Sequence, residues 1–473
     1  MAGSLLVCGV CISAFCLAGL SLLMVINDAQ PAPYMDEIFH IPQAQEYCRR
    51  NFTSWDPMIT TLPGLYLISV GILEPIAKVL QLTTMELCTP LVLRSINLLF
   101  MTGNVWLLSR LITVMHFSKK ESSTDAITIA LTGLTLGSFP VLFFFTGLYY
   151  TDPGSVFFVL LMYFTSEDRH HFLAAIYGVL AIFFRQTNIV WLVMVTGIAI
   201  SESLYDWIQI EKKEQSKENV DDWTVISTFF VLIGRTLKHN PMKLFDLFWK
   251  ILVKIWSYIL VGLGFGVFVF LNGGFVVGDR SQHAACLNIP QIFYFVSVAM
   301  FFSCMHILRP HLLIKFIKFC FSNIVMVILF IGLSYLAISH FTYIHEYLLA
   351  DNRHYPFYVW SKIYKRYENA KYVLIPVYLF GCWSVWDLLR HKNIFWKVSF
   401  LVCLLAATVP QKLLEFRYFI IPYIFFRLNM KPSPIIYLVI EFLLYFVVNV
   451  ATVYLFVKKP FVWSSGELQR FMW

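Results

Sequence analysis

Fourteen stretches of this chain are apolar over nearly the length that a bilayer demands, and that repetition limits the fold more than any motif does. They run 4–26, 62–82, 90–114, 126–146, 149–165, 171–184, 188–204, 251–271, 289–307, 319–340, 372–389, 394–409, 418–428 and 434–457. A spanning helix needs about 20 consecutive apolar residues. Several runs fall short of that, so twelve to fourteen transmembrane helices are expected. Hydrocarbon leaves no partner for a bare backbone amide, so spanning segments are helices or closed barrels. Runs of this length select an all-α polytopic membrane protein, read as a single integral-membrane domain over 1–473. Only 14% of the residues are charged, against roughly 25% in a soluble domain. The net charge of +8 is therefore not the footprint of a nucleic-acid-binding protein, and its meaning lies in its sidedness.

The basic stretch 205–250 is expected to be a cytoplasmic loop. Placing it inside requires one earlier run not to cross. Run 62–82 opens on Leu62-Pro63-Gly64 and carries Glu74, Pro75 and Lys78, so it reads as an interfacial or re-entrant helix. The loops 27–89 and 341–371 then fall on the far, lumenal side. Most Lys and Arg, including Lys119, Lys120, Lys213 and Lys217, fall inside. The sequon Asn51-Phe52-Thr53 lies on the lumenal side. The side of Lys458 and Lys459 depends on whether 418–428 crosses. The first helix has no basic residue ahead of it and no clear cleavage site, so it is read as retained. Cys8 and Cys11 form a CxxC inside an apolar helix and are read as small apolar residues. Cys48 and Cys286 share the lumenal side and are a candidate disulfide.

The same topology gathers scattered polar residues at one face. Asp36 and Glu37 follow the first crossing directly, where an ionisable side chain is costly and points to function. Neighbours on a helix diverge by about 100°, so one is a base candidate and the other a support; the competing reading is a helix N-cap. His40 lies one helical turn from Asp36. Trp55 and Asp56 stand in the same loop, and Trp55 could stack on a sugar. Asp152 precedes Pro153 at a helix start, which also suits a plain cap. Arg185 and Gln186 break two short apolar runs, and a cation at such a break suits a lipid phosphate. Arg353, His354 and Arg417 supply further positive charge in lumenal loops, with ion-paired scaffolding as the alternative. No metal-ligand motif or glycine-rich phosphate loop is visible.

Several of these segments together resemble one family. They are Tyr34-Met35-Asp36-Glu37-Ile38-Phe39-His40, Trp55-Asp56-Pro57-Met58-Ile59-Thr60-Thr61, Phe184-Arg185-Gln186-Thr187-Asn188, Gly278-Asp279-Arg280-Ser281, Asp351-Asn352-Arg353-His354-Tyr355 and Gln469-Arg470-Phe471-Met472-Trp473. The chain resembles the dolichyl-phosphate-glucose α-1,2-glucosyltransferases of the endoplasmic reticulum membrane. That resemblance implies a GT-C glycosyltransferase fold with interfacial helices in the first lumenal loop. It implies dolichyl phosphate glucose as donor and a dolichyl-diphosphate oligosaccharide, Glc2Man9GlcNAc2, as acceptor, with membrane lipid around both. A first-loop acid is the usual base of such enzymes, which falls on Asp36 with Glu37 beside it. Arg185, Gln186, Arg353, His354 and Arg417 are then expected at the donor phosphate, and His40, Trp55, Asp56 and Asp152 at the acceptor, without cofactor or metal. The resemblance also brings an ion channel as a further partner. A rival class is an accessory subunit or regulator of a channel or transporter. It would show inverted repeats and a polar midplane site, whereas the polar residues here collect at one interface.

Overall fold

The computed structural model describes residues 2–117, 122–212, 222–280 and 285–473. Lys119, Lys120, Lys213, Lys217 and Ser281 lie outside the described residues. Every apolar run named above is built of helix. In chain order these are α1 (Ala2–Ala29), α2 (Glu37–Cys48), α3 (Gly64–Leu80), α4 (Thr84–Leu87), α5 (Pro90–His116), α6 (Ser123–Gly137), α7 (Pro140–Phe143), α8 (Thr151–Glu167), α9 (His171–Phe184), α10 (Ile189–Lys212), α11 (Asp222–His239) and α12 (Pro241–Asn272). The second half holds α13 (Gln291–Phe302), α14 (Cys304–Ile307), α15 (Pro310–Ser322), α16 (Ile324–Phe341), α17 (Glu346–Ala350), α18 (Tyr355–Val359), α19 (Ala370–Val373), α20 (Ile375–Leu388), α21 (Ile394–Thr408), α22 (Ile420–Leu428) and α23 (Ile435–Lys458). A two-residue hairpin, β1 (Phe461–Val462) with β2 (Leu468–Gln469), follows.

By length and composition six of these helices can cross a membrane, or seven if the pair bent by 59° between α6 and the segment from Pro140 is one span. The other expected spans fold into shorter helices. Four of the short ones, α8, α9, α21 and α22, stop or start beside the polar motifs at one face. Irregular backbone at membrane depth is tolerated where it is buried in protein or lines a wet cavity. The short helices therefore leave room for charged side chains between their ends within the bundle.

The two faces can be followed from contact to contact. Arg94 near the start of α5 meets Glu37, and His116 at its other end hydrogen bonds through Nε2 to the Leu428 carbonyl at the end of α22 (2.7 Å). The far face also holds the pairs Arg169–Glu202 (2.5 Å), Lys254–Glu202 (3.1 Å), Lys243–Glu211 (2.8 Å), Lys315–Asp387 and Lys397–Asp222. Helix α3 stays on the first face. Its Gly64 end abuts the Phe183–Phe184 backbone, and Glu74 pairs with Arg50 (2.7 Å) just beyond α2. Leu65, Tyr66, Ser69, Val70, Leu73 and Ala77 bury one stripe of it while Ile76, Val79 and Leu80 face outward, the pattern of a helix lying on a surface.

Two expectations need correction. The stretch 205–250 is largely helical rather than a loop. In α11, Val225, Ile226, Phe229, Leu232 and Ile233 form an apolar stripe packed on Trp207, Ile208 and Ile394, a helical spacing that its charges mask. Cys48 is joined to Cys88, not to Cys286. Cys88 comes directly after α4, so the bond ties the end of α2 to the entry of α5; Cys286 instead donates its backbone N–H to the Pro410 carbonyl (3.2 Å). Closing a loop of 40 residues is worth about 3–4 kcal/mol. Cys48→Ser, Cys88→Ser and the double variant should therefore lower the thermal midpoint of the solubilised chain equally, with no change for Cys286→Ser.

The C-terminal segment places the end of α23, with Lys458 and Lys459, at the same face as Asp36. After the hairpin it returns to the face of Asp36. Tyr34 Oη donates to the Arg470 carbonyl and accepts from its N–H, both at 2.8 Å, and Met472 N–H donates to the Arg353 carbonyl (2.8 Å).

Candidate active site

Asp36 sits in the N-cap position of α2, directly after Met35 at φ 55°. A left-handed backbone at a residue other than glycine costs about 1 kcal/mol or more and is sustained by its surroundings. Here it turns the chain sharply out of the segment after α1. The Asp36 N–H is fixed by the Tyr150 hydroxyl (3.2 Å). Its carboxylate opens into a cavity of about 290 Å³, walled by Tyr150, Arg353, His354, Phe357, Arg417 and Trp473 among others.

Glu37, the adjacent acid, points the other way and is fully buried. Its carboxylate accepts from Arg94 Nε (2.9 Å) and Nη2 (2.7 Å), from the Tyr149 N–H (2.6 Å) and from the Tyr34 N–H (3.1 Å). Arg94 is fully buried too, and further donates to Asn27 Oδ1 and the Gln30 and Ala32 carbonyls. Every oxygen of the pair is occupied, so Glu37 has nothing left for a substrate. The cage locks four segments together: the end of α1, the start of α2, the first turns of α5 and the turn before α8. Asn97 completes it by donating to the Leu148 and Tyr150 carbonyls.

Arg417 is the hub of the site. Its Nη1 lies 3.1 Å from Asp36 Oδ2 and 3.7 Å from Asp152 Oδ2, and its Nε donates to Glu415 (2.6 Å). Its guanidinium also lies over the rings of Tyr150 and Phe145 at 5.4 and 5.6 Å. Arg185 pairs with the other oxygen of Asp152, just outside the main cavity. Across the cavity Arg353 grips Asp351 with two bonds (2.8 and 2.7 Å), bonds Gln469 (3.0 Å) and stacks on Trp463 at 4.6 Å. His354 Nδ1 donates to the Trp473 backbone oxygen (2.7 Å), leaving Nε2 beside Asp351 at 3.6 Å. The guanidiniums are thus matched by the acids Asp36, Asp152, Glu415 and Asp351, and a phosphate must take over bonds that these acids now hold.

Burial pushes the Asp36 carboxyl up, but the Arg417 guanidinium outweighs it and holds it below its ordinary value. It is ionised at neutral pH, as a proton acceptor must be. Burial lowers His40, which is therefore neutral, and its Nδ1 lies 2.5 Å from Tyr66 Oη.

Other expected contacts are placed elsewhere. The Trp55 ring packs edge-on to Tyr66, and Asp56 Oδ1 caps its own turn by accepting the Met58 N–H (2.9 Å). The Gln186 amide donates to the Thr60 carbonyl (3.0 Å) and fastens the first loop to the end of α9. His40 stands behind Asp36, its ring against Tyr150 and Tyr66. None of these four lines the cavity. Gly278, at φ 70°, lies where a Cβ would strike the Pro57 and Ile59 carbonyls. The Asp279 N–H donates to the Pro57 carbonyl (2.8 Å). That motif therefore docks on the loop rather than on the cavity. Sequence reasoning missed Arg94 and the walls formed by Met472 and Trp473. An arginine inside an apolar run was the available signal for the first.

Fold and site together define an all-α polytopic membrane protein of the glycosyltransferase kind, with its acids and guanidiniums gathered at one face of the helix bundle. The chain belongs to the DIE2/ALG10 family, whose model matches residues 30–428. It is 45% identical to a rat protein named Dol-P-Glc:Glc(2)Man(9)GlcNAc(2)-PP-Dol alpha-1,2-glucosyltransferase, over 96% of this chain and 95% of the relative. A human protein of the same name is 43% identical over 96% and 95% of the two chains, and one from Arabidopsis thaliana is 32% identical over 95% and 96%. No solved structure matches the chain.

Proposed function

We propose that this chain transfers glucose from dolichyl phosphate glucose, in α-1,2 linkage, onto the terminal glucose of lipid-linked Glc2Man9GlcNAc2. The relatives' names support donor and acceptor. The observation that carries the reading is the Asp36 carboxylate, 41% exposed into the cavity and 3.1 Å from Arg417. It pairs an ionised base with a cation for a leaving phosphate in one pocket.

The donor is β-linked and the product α-linked, so a single in-line displacement inverts C1. The acceptor 2-hydroxyl attacks C1, its proton passes to Asp36, and the C1–O bond to phosphate breaks with the electron pair leaving on dolichyl phosphate. That group needs no proton, only stabilisation of its charge, which Arg417, Arg353 and His354 supply from the cavity wall. Arg185 acts at one remove by holding Asp152 against Arg417. Much of the rate comes from holding two lipid-borne substrates in register. The whole chain acts as one GT-C domain of the endoplasmic reticulum membrane with the site lumenal. The Cys48–Cys88 bond at the site face fits an oxidising compartment, and the Lys and Arg of the opposite face fit the cytoplasm.

The test is transfer by the purified full chain. With dolichyl phosphate glucose and the Glc2Man9GlcNAc2 lipid, the product should gain one glucose removable by an α-1,2-specific glucosidase, and excess EDTA should leave the rate unchanged. No glucose gain, or equal transfer from dolichyl phosphate mannose, overturns the assignment. Abolition by EDTA overturns the metal-independent scheme.

A further inference from the structure

The face opposite Asp36 carries a second polar cavity, of about 180 Å³, that the transfer scheme does not use. It lies where α15 begins, α20 ends and the chain turns from α22 into α23. Its walls carry Arg309, His311, Arg390, His391 and Lys431 against one acid, Asp387, and that acid is engaged by Lys315.

The cations are poorly matched. Among the described residues Arg309 has no carboxylate partner; its Nη2 bonds the Ser433 hydroxyl (3.1 Å) and approaches His306 Nδ1 (3.4 Å), and its guanidinium covers the Tyr437 ring at 4.3 Å. Its Nε–H is buried without an acceptor. A buried donor left unmade costs about 1–3 kcal/mol, so such a group marks a place where an acceptor is missing. The nearest buried acid behind the cavity, Glu441, is saturated by Arg427 (2.9 and 2.7 Å) and His306 (3.0 Å). With Glu441 saturated and Asp387 held by Lys315, no carboxylate lining the cavity is left for its cations, and an anion from outside the fold fits that surplus of positive charge.

The surroundings identify its source. Leu312, Leu388 and Met430 form apolar walls. Helix α15, which starts at the cavity, exposes Ile314, Ile317 and Phe321 alongside Lys315 and Lys318. That is the composition of a helix at the boundary of headgroups and acyl chains. Basic pockets between helix ends on such a boundary take phosphate headgroups.

We propose that this cavity binds the phosphate headgroup of a lipid in the leaflet opposite the catalytic face, with Arg309, Arg390 and Lys431 as its cations. The site is separate from donor and acceptor binding and does not rest on the transferase reading.

The probe is dioleoyl phosphatidic acid, measured by native mass spectrometry of the full chain in phosphatidylcholine micelles. Phosphatidic acid should be retained over phosphatidylcholine. Arg390→Gln/Lys431→Gln, which alters exposed side chains alone, should weaken retention about 25-fold, taking about 1 kcal/mol per cation, with glucosyl transfer unchanged. Arg309→Gln should weaken it further. Three results overturn the proposal: no preference over phosphatidylcholine, equal retention by the double variant, or displacement by inorganic phosphate at matched concentration, which would make the ligand a free anion.

Discussion

Asp36→Asn is expected to lower turnover by about a thousandfold, the middle of the range for losing a positioned base, with yield and thermal stability unchanged. The substitution keeps the shape of the side chain and its place over α2 while removing its capacity to take a proton. The pH profile should agree. Because Arg417 holds the Asp36 carboxyl below its ordinary value, it stays ionised, and transfer should persist, as pH falls from neutral to about 5. The acid limb lies lower still. In Arg417→Gln burial is left to push the carboxyl up, so the acid limb should move toward neutral pH as the rate falls. Near-normal transfer by Asp36→Asn would remove the base from the scheme.

Arg94→Leu is expected to destabilise the chain by about 3–5 kcal/mol, because it strands a buried carboxylate. Lower yield and a depressed thermal midpoint would report this. Glu37→Gln keeps the shape of the side chain and one oxygen, which can serve either the Tyr149 or the Tyr34 amide but not both, and should destabilise less. The surviving protein should retain kcat within a few-fold, because Glu37 faces away from the cavity. The opposite split, a collapsed kcat with an unchanged midpoint, would make Glu37 the base and Asp36 its support.

The apolar runs were legible because hydrocarbon imposes one period on every crossing helix, and all of them are helical. Their true lengths were not legible. The unwound ends beside Asp152, Arg185 and Arg417 depend on partners far along the chain, and local hydropathy carries no trace of those. That Asp36, Arg353, His354 and Arg417 share one face followed from sidedness; that these four line one cavity while His40, Trp55, Asp56 and Gln186 do not depends on packing. The division of labour between Asp36 and Glu37 did not, because it turns on Arg94, one arginine inside run 90–114. The amphipathic stripe of α11 was visible at helical spacing but was outweighed by the charge of its stretch. Cys88 was overlooked as the partner of Cys48 because it borders an apolar run.

The pocket draws one wall from residue 36 and another from residues 472 and 473. A membrane protein is threaded into the bilayer in the order it is synthesised, so the base is in place long before the wall that faces it. The enzyme can become competent only after residues 472 and 473 are made and fold back against the first loop. A stop codon anywhere in the final hairpin would leave Asp36, Arg353 and Arg417 all translated yet deprive them of the enclosure in which they act.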